Sequence, residues 1–219
     1  MLSAQEFWDI MGSYGAGVWP AQVVFLVAAV LLMLMVFLKP GDMADTLIKL
    51  YLAVSCLWAG IVFFIIFGKG IPGYYVFALL FIIAGILFGV DLFRRKMAFR
   101  LPSLGWRRSL TVVLTLIVLC YPIFSIVFGH RFPEVIVVGA FPCPTTALGL
   151  LLLTIAVPRR DRILYIIFLF WAVPFPPFLQ LTRWGVYEDT IMFGIGIYSL
   201  VLLVKNWQGK SPQSTKASS

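Results

Sequence analysis

Phe141-Pro142-Cys143-Pro144-Thr145-Thr146 sets a thiol between two prolines and follows it with two hydroxyls, all inside an apolar run. Proline in a helix interior removes a backbone hydrogen bond and collides with the preceding turn, so Pro142 and Pro144 predict an interruption. Backbone left open at membrane depth must be satisfied by protein or by a water-filled cavity. Thr145 or Thr146 is suited to cap the half-helix that resumes, presenting N–H groups and a hydroxyl to a ligand. A second interruption, Pro174-Phe175-Pro176-Pro177, is followed by Gln180. Glu134 to Cys143 and Pro174 to Arg183 are each nine residues, which predicts breaks at similar depth on consecutive antiparallel helices. Matched discontinuities of this kind point to a substrate or ion site in transporters. The candidate site is therefore Pro142, Cys143, Pro144, Thr145 and Thr146 from one break, with Pro174, Pro176, Pro177 and Gln180 from the other. Two kinks packed together without a ligand fit the same pattern, because membrane helices carry extra proline.

Cys143 is also a candidate soft-metal ligand or redox group, with Cys56 and Cys120 in the middle of their own apolar runs. The competing reading is that each cysteine is a small apolar filler. His130, Arg131 and Glu134 form a candidate outer entrance, where a histidine that protonates near neutral pH would act as a gate. Asp91 is expected to pair locally with Arg94 and Arg95, three and four residues on. No HExxH, GxSxG, Walker loop or paired-carboxylate pattern occurs, so no catalytic residue and no cofactor is assigned and enzyme activity is left open. No lysine stands in the last apolar run to hold retinal, and no carboxylate lies near the centre of any run, as charge-coupled pumps usually require.

These groups have to be held by elements that the composition restricts severely. Of the 219 residues 62% are hydrophobic and 12% charged, whereas soluble domains are near half apolar and a quarter charged. A soluble chain of this length has too little interior for that apolar surface, so a bilayer is the expected solvent. About 20 apolar residues cross a hydrocarbon core of roughly 30 Å. Seven runs qualify: Val18–Leu38, Leu47–Phe67, Pro72–Phe93, Ser109–Phe128, Val135–Val157, Ile163–Thr182 and Thr190–Val204. The expected fold is all-α, a polytopic bundle of about seven transmembrane helices.

Charge gives the expected orientation. With the N-terminus outside and the C-terminus cytoplasmic, one side receives Lys39, the cluster Arg94 to Arg108, Arg159 to Arg162, and Lys205, Lys210 and Lys216. The other receives Lys69, Arg131 and Arg183. That asymmetry follows the positive-inside rule, and it explains the net charge of +8 without nucleic acid. The basic loop is expected to meet anionic lipid, and a homo-oligomer is left open.

Residues 1–17 read as an outer interfacial amphipathic segment with Phe7, Trp8, Ile10, Met11 and Tyr14 on one face. Its first residues lack the basic start of a signal peptide. Gly12 to Gly17 would be a hinge, and Trp19-Pro20 the start of the first crossing. Residues 18–208 form the transmembrane domain and 209–219 a disordered cytoplasmic tail. Gly85 and Gly89 form a GxxxG that would let the third helix pack closely.

Val18-Trp19-Pro20-Ala21-Gln22 and the Phe141 to Thr146 segment resemble an uncharacterised family of small bacterial polytopic membrane proteins, a domain of unknown function. The resemblance covers most of the chain and implies multi-pass insertion in a bacterial inner membrane; it supplies no activity. Three classes follow from the residues. The first is a permease-like or channel-like protein for a small solute or ion; the others are a membrane scaffold or assembly factor, and an embedded redox protein using Cys143.

Overall fold

Ser3 and Glu6 exchange hydrogen bonds as a capping box and start α1, which runs unbroken from Ala4 to Leu38. The structure is a computed structural model and describes residues 2–103, 105–158, 161–175 and 179–207. Along α1, Phe7, Met11, Tyr14, Val18, Gln22, Phe25, Ala29, Met33 and Val36 are buried, a spacing that keeps one helical face inward. Trp19, Val23, Val27, Leu31, Leu34 and Leu38 are exposed and equally apolar. A helix apolar on both faces belongs in lipid.

The expected hinge at Gly12 to Gly17 does not form, and Pro20 lies well inside the helix. Gly15 is there for close approach: a Cβ would strike the Pro133 carbonyl. At 35 residues α1 is about 52 Å long, far more than a hydrocarbon core of roughly 30 Å needs. Its opening turns therefore have length to spare for packing against other parts of the chain.

Next come α2 (Asp42–Trp58), a π-helical continuation Ala59–Phe67, a 3₁₀ turn Gly68–Gly70, and α3 (Tyr74–Arg94). A Cβ on Gly60 would collide with the Ala78 carbonyl, and one on Gly85 with Leu57 and the Ala53 carbonyl, so both glycines hold α2 and α3 close. Gly89, the partner of Gly85 in the expected motif, faces open space. The chain continues through β1 (Met97–Phe99), α4 (Trp106–Leu119), α5 (Tyr121–Val127), α6 (Pro142–Thr154), β2 (Ala156–Pro158), α7 (Arg162–Ala172), α8 (Leu181–Arg183) and α9 (Asp189–Trp207).

The expectation of about seven transmembrane helices is overturned. Among the described residues three helical stretches are long and apolar enough to cross a membrane, Ala4–Leu38, Asp42–Gly70 and Tyr74–Arg94; α4 and α5, bent by 58° at Cys120, would make a fourth if counted as one. The inside–outside alternation that set the N-terminus outside and the C-terminus in the cytoplasm counted seven crossings, and it falls with that number. The fifth apolar run goes into the protein interior instead. The fifth spends residues 135–141 on non-helical backbone, leaving a 13-residue α6 in which every residue is buried. The sixth run forms the 11-residue α7, which ends at Ala172, and later enters α8.

At one end of the bundle an ionic clasp joins α2, α3 and β1. Lys49 Nζ is 2.7 Å from Asp91 Oδ2, and Asp91 also accepts from the N–H groups of Lys96 and Met97. Asp91 is thus not paired locally with Arg94 and Arg95, as expected, because a fully buried lysine one helix away competes better than two exposed arginines. Arg100 pairs with Asp45 at 2.9 Å, and the Phe99 N–H donates to the same carboxylate. β1 pairs antiparallel with β2, Met97 opposite Pro158 and Phe99 opposite Ala156, which ties the segment leaving α6 to the same corner.

Candidate functional site

The first proline-containing segment does not interrupt a long helix; it begins one. Phe141 is extended, Pro142 is the first residue of α6 and Pro144 the third. Opening N–H groups have no partner inside a helix, so neither proline forfeits a hydrogen bond, and the fixed φ favours the start. Pro174 comes just after the end of α7 and is exposed. Pro176 and Pro177 lie outside the described residues.

Before α6 the chain runs buried but non-helical from Ile136 to Phe141, and side-chain hydroxyls from three elements take up its backbone groups. The Gly139 N–H donates to Thr145 Oγ1 at 2.9 Å, and the Ile136 N–H donates to Ser125 Oγ at 3.3 Å. The Tyr14 hydroxyl donates to the Ala140 carbonyl and accepts from the Trp58 indole at 2.8 Å. Protein thereby satisfies irregular backbone that lipid could not. Gly139, at φ 87°, lies against Tyr51 and Phe25, a position a side chain could occupy neither sterically nor conformationally.

A cavity of about 30 Å³ lies where the start of α6 meets the segment from Trp171 to Asp189. Aromatic and aliphatic side chains make its wall, Phe7, Phe63, Phe141, Trp171, Phe175 and Trp184 among them, while Cys143, Gln180 and Asp189 bring polar atoms to it. Gln180 Nε2 donates to Cys143 Sγ at 3.1 Å, and Trp171 and Asp189 also face this thiol. The Tyr121 hydroxyl donates to Asp189 Oδ1 at 2.7 Å. Next to it, Ser125 Oγ donates to Glu188 Oε1 at 2.9 Å, and His130 Nε2 stands 3.8 Å from Glu188 Oε2. Glu188 and Asp189 are both wholly buried, yet Glu188 Oε2, Asp189 Oδ2 and Gln180 Oε1 have no hydrogen-bond partner among the described residues. Asp189 opens α9 and faces the first turn of α6, so the positive ends of both helix dipoles lie toward it, against the burial and the Glu188 carboxylate that oppose its charge.

The opening turns of α1 cover this region. Phe7 stacks on Trp184 with ring centroids 4.4 Å apart, Trp8 stacks on His130 at 3.8 Å, and the Trp8 indole donates to the Trp184 carbonyl at 2.8 Å.

Of the residues expected to form the site, the structure brings Cys143, Pro142 and Gln180 to the cavity. Thr145 and Thr146 are buried in α6 away from its wall, Thr145 serving the Gly139 loop. Pro144 is buried likewise. His130, Arg131 and Glu134 do not assemble: His130 joins Trp8 and Glu188, Arg131 is exposed, and Glu134 lies against Gly12 of α1. The three cysteines are free, and among the described residues no three His, Cys, Asp or Glu side chains are grouped to hold a metal ion.

Sequence reasoning passed over Tyr121, Ser125, Glu188 and Asp189. Glu188-Asp189 was the available signal, since acids directly before an apolar run mark a helix start. That signal says nothing of burial.

Residues 4–213 of the chain match DUF6064, a family of unknown function. No curated protein and no solved structure matches the chain.

Proposed function

The chain belongs to the DUF6064 family, and from that membership we propose a multi-pass protein of a bacterial inner membrane, permease-like or channel-like, that admits a small solute or ion. One observation carries the reading: Asp189 and Gln180, buried and each with an unpartnered oxygen, meet Cys143 at a cavity between the start of α6 and the segment that follows α7. Buried polar atoms are ordinarily satisfied, and each exception asks for an explanation such as a ligand or water. Long apolar helices put that cavity in a protein of the membrane, where a polar interior site serves passage more readily than structure. The exposed Arg94, Arg95, Lys96 and Arg108, beside exposed Phe93 and Trp106, are placed by this reading against anionic lipid headgroups.

Cys143 reports on the proposal directly. In protein carrying Cys56→Ala and Cys120→Ala, a small charged methanethiosulfonate should modify Cys143 in membrane vesicles. The rate should be roughly tenfold or more above that of Cys56 in the converse variant, because only a site with water access meets a charged reagent. Equal, negligible rates at both cysteines would end the permease-like reading and leave a scaffold as the better account.

A further inference from the structure

Two consecutive carboxylates, Glu188 and Asp189, are wholly buried in a protein with few buried charges. The groups that meet the Asp189 carboxylate are the Tyr121 hydroxyl, the Cys143 thiol and the Glu188 carboxylate, none of which is a cation. Buried charge is normally paired, and a second negative charge beside it sharpens the need. Gln180, 4% exposed, lines the same cavity and leaves its Oε1 without a partner. Aromatic side chains line the cavity beside aliphatic ones, and their faces attract a desolvated cation, while the indole N–H groups of Trp171 and Trp184 make no hydrogen bond among the described residues.

We infer that this cavity is a binding site for one dehydrated monovalent cation of ammonium or potassium size, held by Asp189 and Gln180 and faced by the surrounding rings. Size sets the upper limit. A water needs roughly 10–15 Å³ of such volume, so about 30 Å³ admits one small body and excludes any organic solute of several heavy atoms. Charge disfavours a divalent ion: stripping its water costs far more than one carboxylate and one amide oxygen return, and no grouping of three ligating acids, histidines or cysteines surrounds the site among the described residues. The thiol of Cys143 faces Asp189 and completes the wall without competing for the ion, because hard monovalent cations bind sulfur poorly. Phe7 and Met11 of α1 complete the lining of the cavity.

This inference deepens the permease-like reading by naming its ligand, and binding is measured separately from access. Trp171 and Trp184 line the cavity and report on it. Purified protein in detergent, at fixed pH and ionic strength, is titrated with ammonium, potassium, lithium or choline chloride while tryptophan fluorescence is followed. A saturable change with ammonium or potassium is expected, with none for choline and a weaker one for lithium. Comparing ammonium with potassium identifies which of the two the site prefers. Asp189→Asn keeps an acceptor for Tyr121 and should weaken the apparent affinity roughly tenfold or more, as removal of a buried charge partner does. Glu134→Gln, remote from the cavity, should leave it unchanged.

The same response to all four salts would mean that water alone fills the cavity, and would overturn the inference. So would a response that follows pH but not the cation, since a proton would then be the only occupant, and so would wild-type affinity in Asp189→Asn. If that variant fails to fold, the salt series on the unaltered protein still decides. Cation binding with an unreactive Cys143 would remove the permease-like reading and keep the site.

Discussion

Thr145 shows how one hydroxyl can fix a path of buried backbone. It donates to the Phe141 carbonyl at 2.6 Å and accepts from the Gly139 N–H at 2.9 Å, joining the first turn of α6 to the loop that precedes it. Thr145→Val keeps the shape and strands the Gly139 N–H, while the Phe141 carbonyl keeps the Thr145 backbone N–H. An unsatisfied buried group costs about 1–3 kcal/mol, so unfolding in mixed detergent should show a loss of that order. No loss would mean that the loop finds other partners. The threonines attracted attention in the sequence as caps offering groups to a ligand. Thr145 instead supplies them to its own chain, because Gly139 turns back at positive φ and arrives within reach. Nothing in the local sequence marks that return.

Among the elements, α6 departs furthest from expectation. Two prolines one residue apart read correctly as incompatible with a continuing helix, and the structure agrees that no helix enters Pro142 from the N-terminal side. Pattern alone does not distinguish a broken helix from a new one that proline begins. Since both prolines occupy opening positions, Pro142→Ala together with Pro144→Ala should change stability by less than about 1 kcal/mol and should not fuse α6 to the preceding loop. Circular dichroism and detergent unfolding check this: a gain of helix equivalent to residues 135–141 would show that the prolines, not the hydroxyl contacts, keep the loop extended. The opening of α1 was legible, since Ser3 and Glu6 have capping-box spacing. Its continuity through Gly12, Gly15 and Gly17 was not, because glycine signals both hinges and close contacts, and only Pro133 tells which applies at Gly15.

Across the described residues of the molecule, buried acids collect at two places. One is the clasp of Lys49, Asp91, Asp45 and Arg100; the other is the cluster of Tyr121, Ser125, His130, Glu188 and Asp189. The clasp takes Arg100 out of the basic loop, leaving Arg94, Arg95, Lys96 and Arg108 exposed for headgroups. Each basic residue near an anionic surface contributes about 1 kcal/mol, so replacing these four with glutamine should reduce anionic lipid retained through purification well below the wild-type level. Native mass spectrometry of the detergent-solubilised protein measures this, and unchanged lipid retention would exclude the loop as the contact. Arg100→Gln is a different kind of change, since it uncovers the buried Asp45 and should act on stability.

Composition by itself determined the solvent class. A chain 62% hydrophobic with 12% charged residues cannot hide its apolar surface alone, and the long apolar helices agree with a membrane protein. The order of residues also marked Pro142 as a place where no helix continues, because proline acts through its own covalent geometry. Only the tertiary structure decided how many apolar runs cross. Hydrophobicity records that a segment avoids water, and α6, buried on every side by protein, meets that condition as fully as the half-exposed α1 does. The buried acids were undecidable for the same reason. Glu188 and Asp189 look like ordinary charge at a helix start until Tyr121 and Ser125, more than sixty residues earlier, close over them.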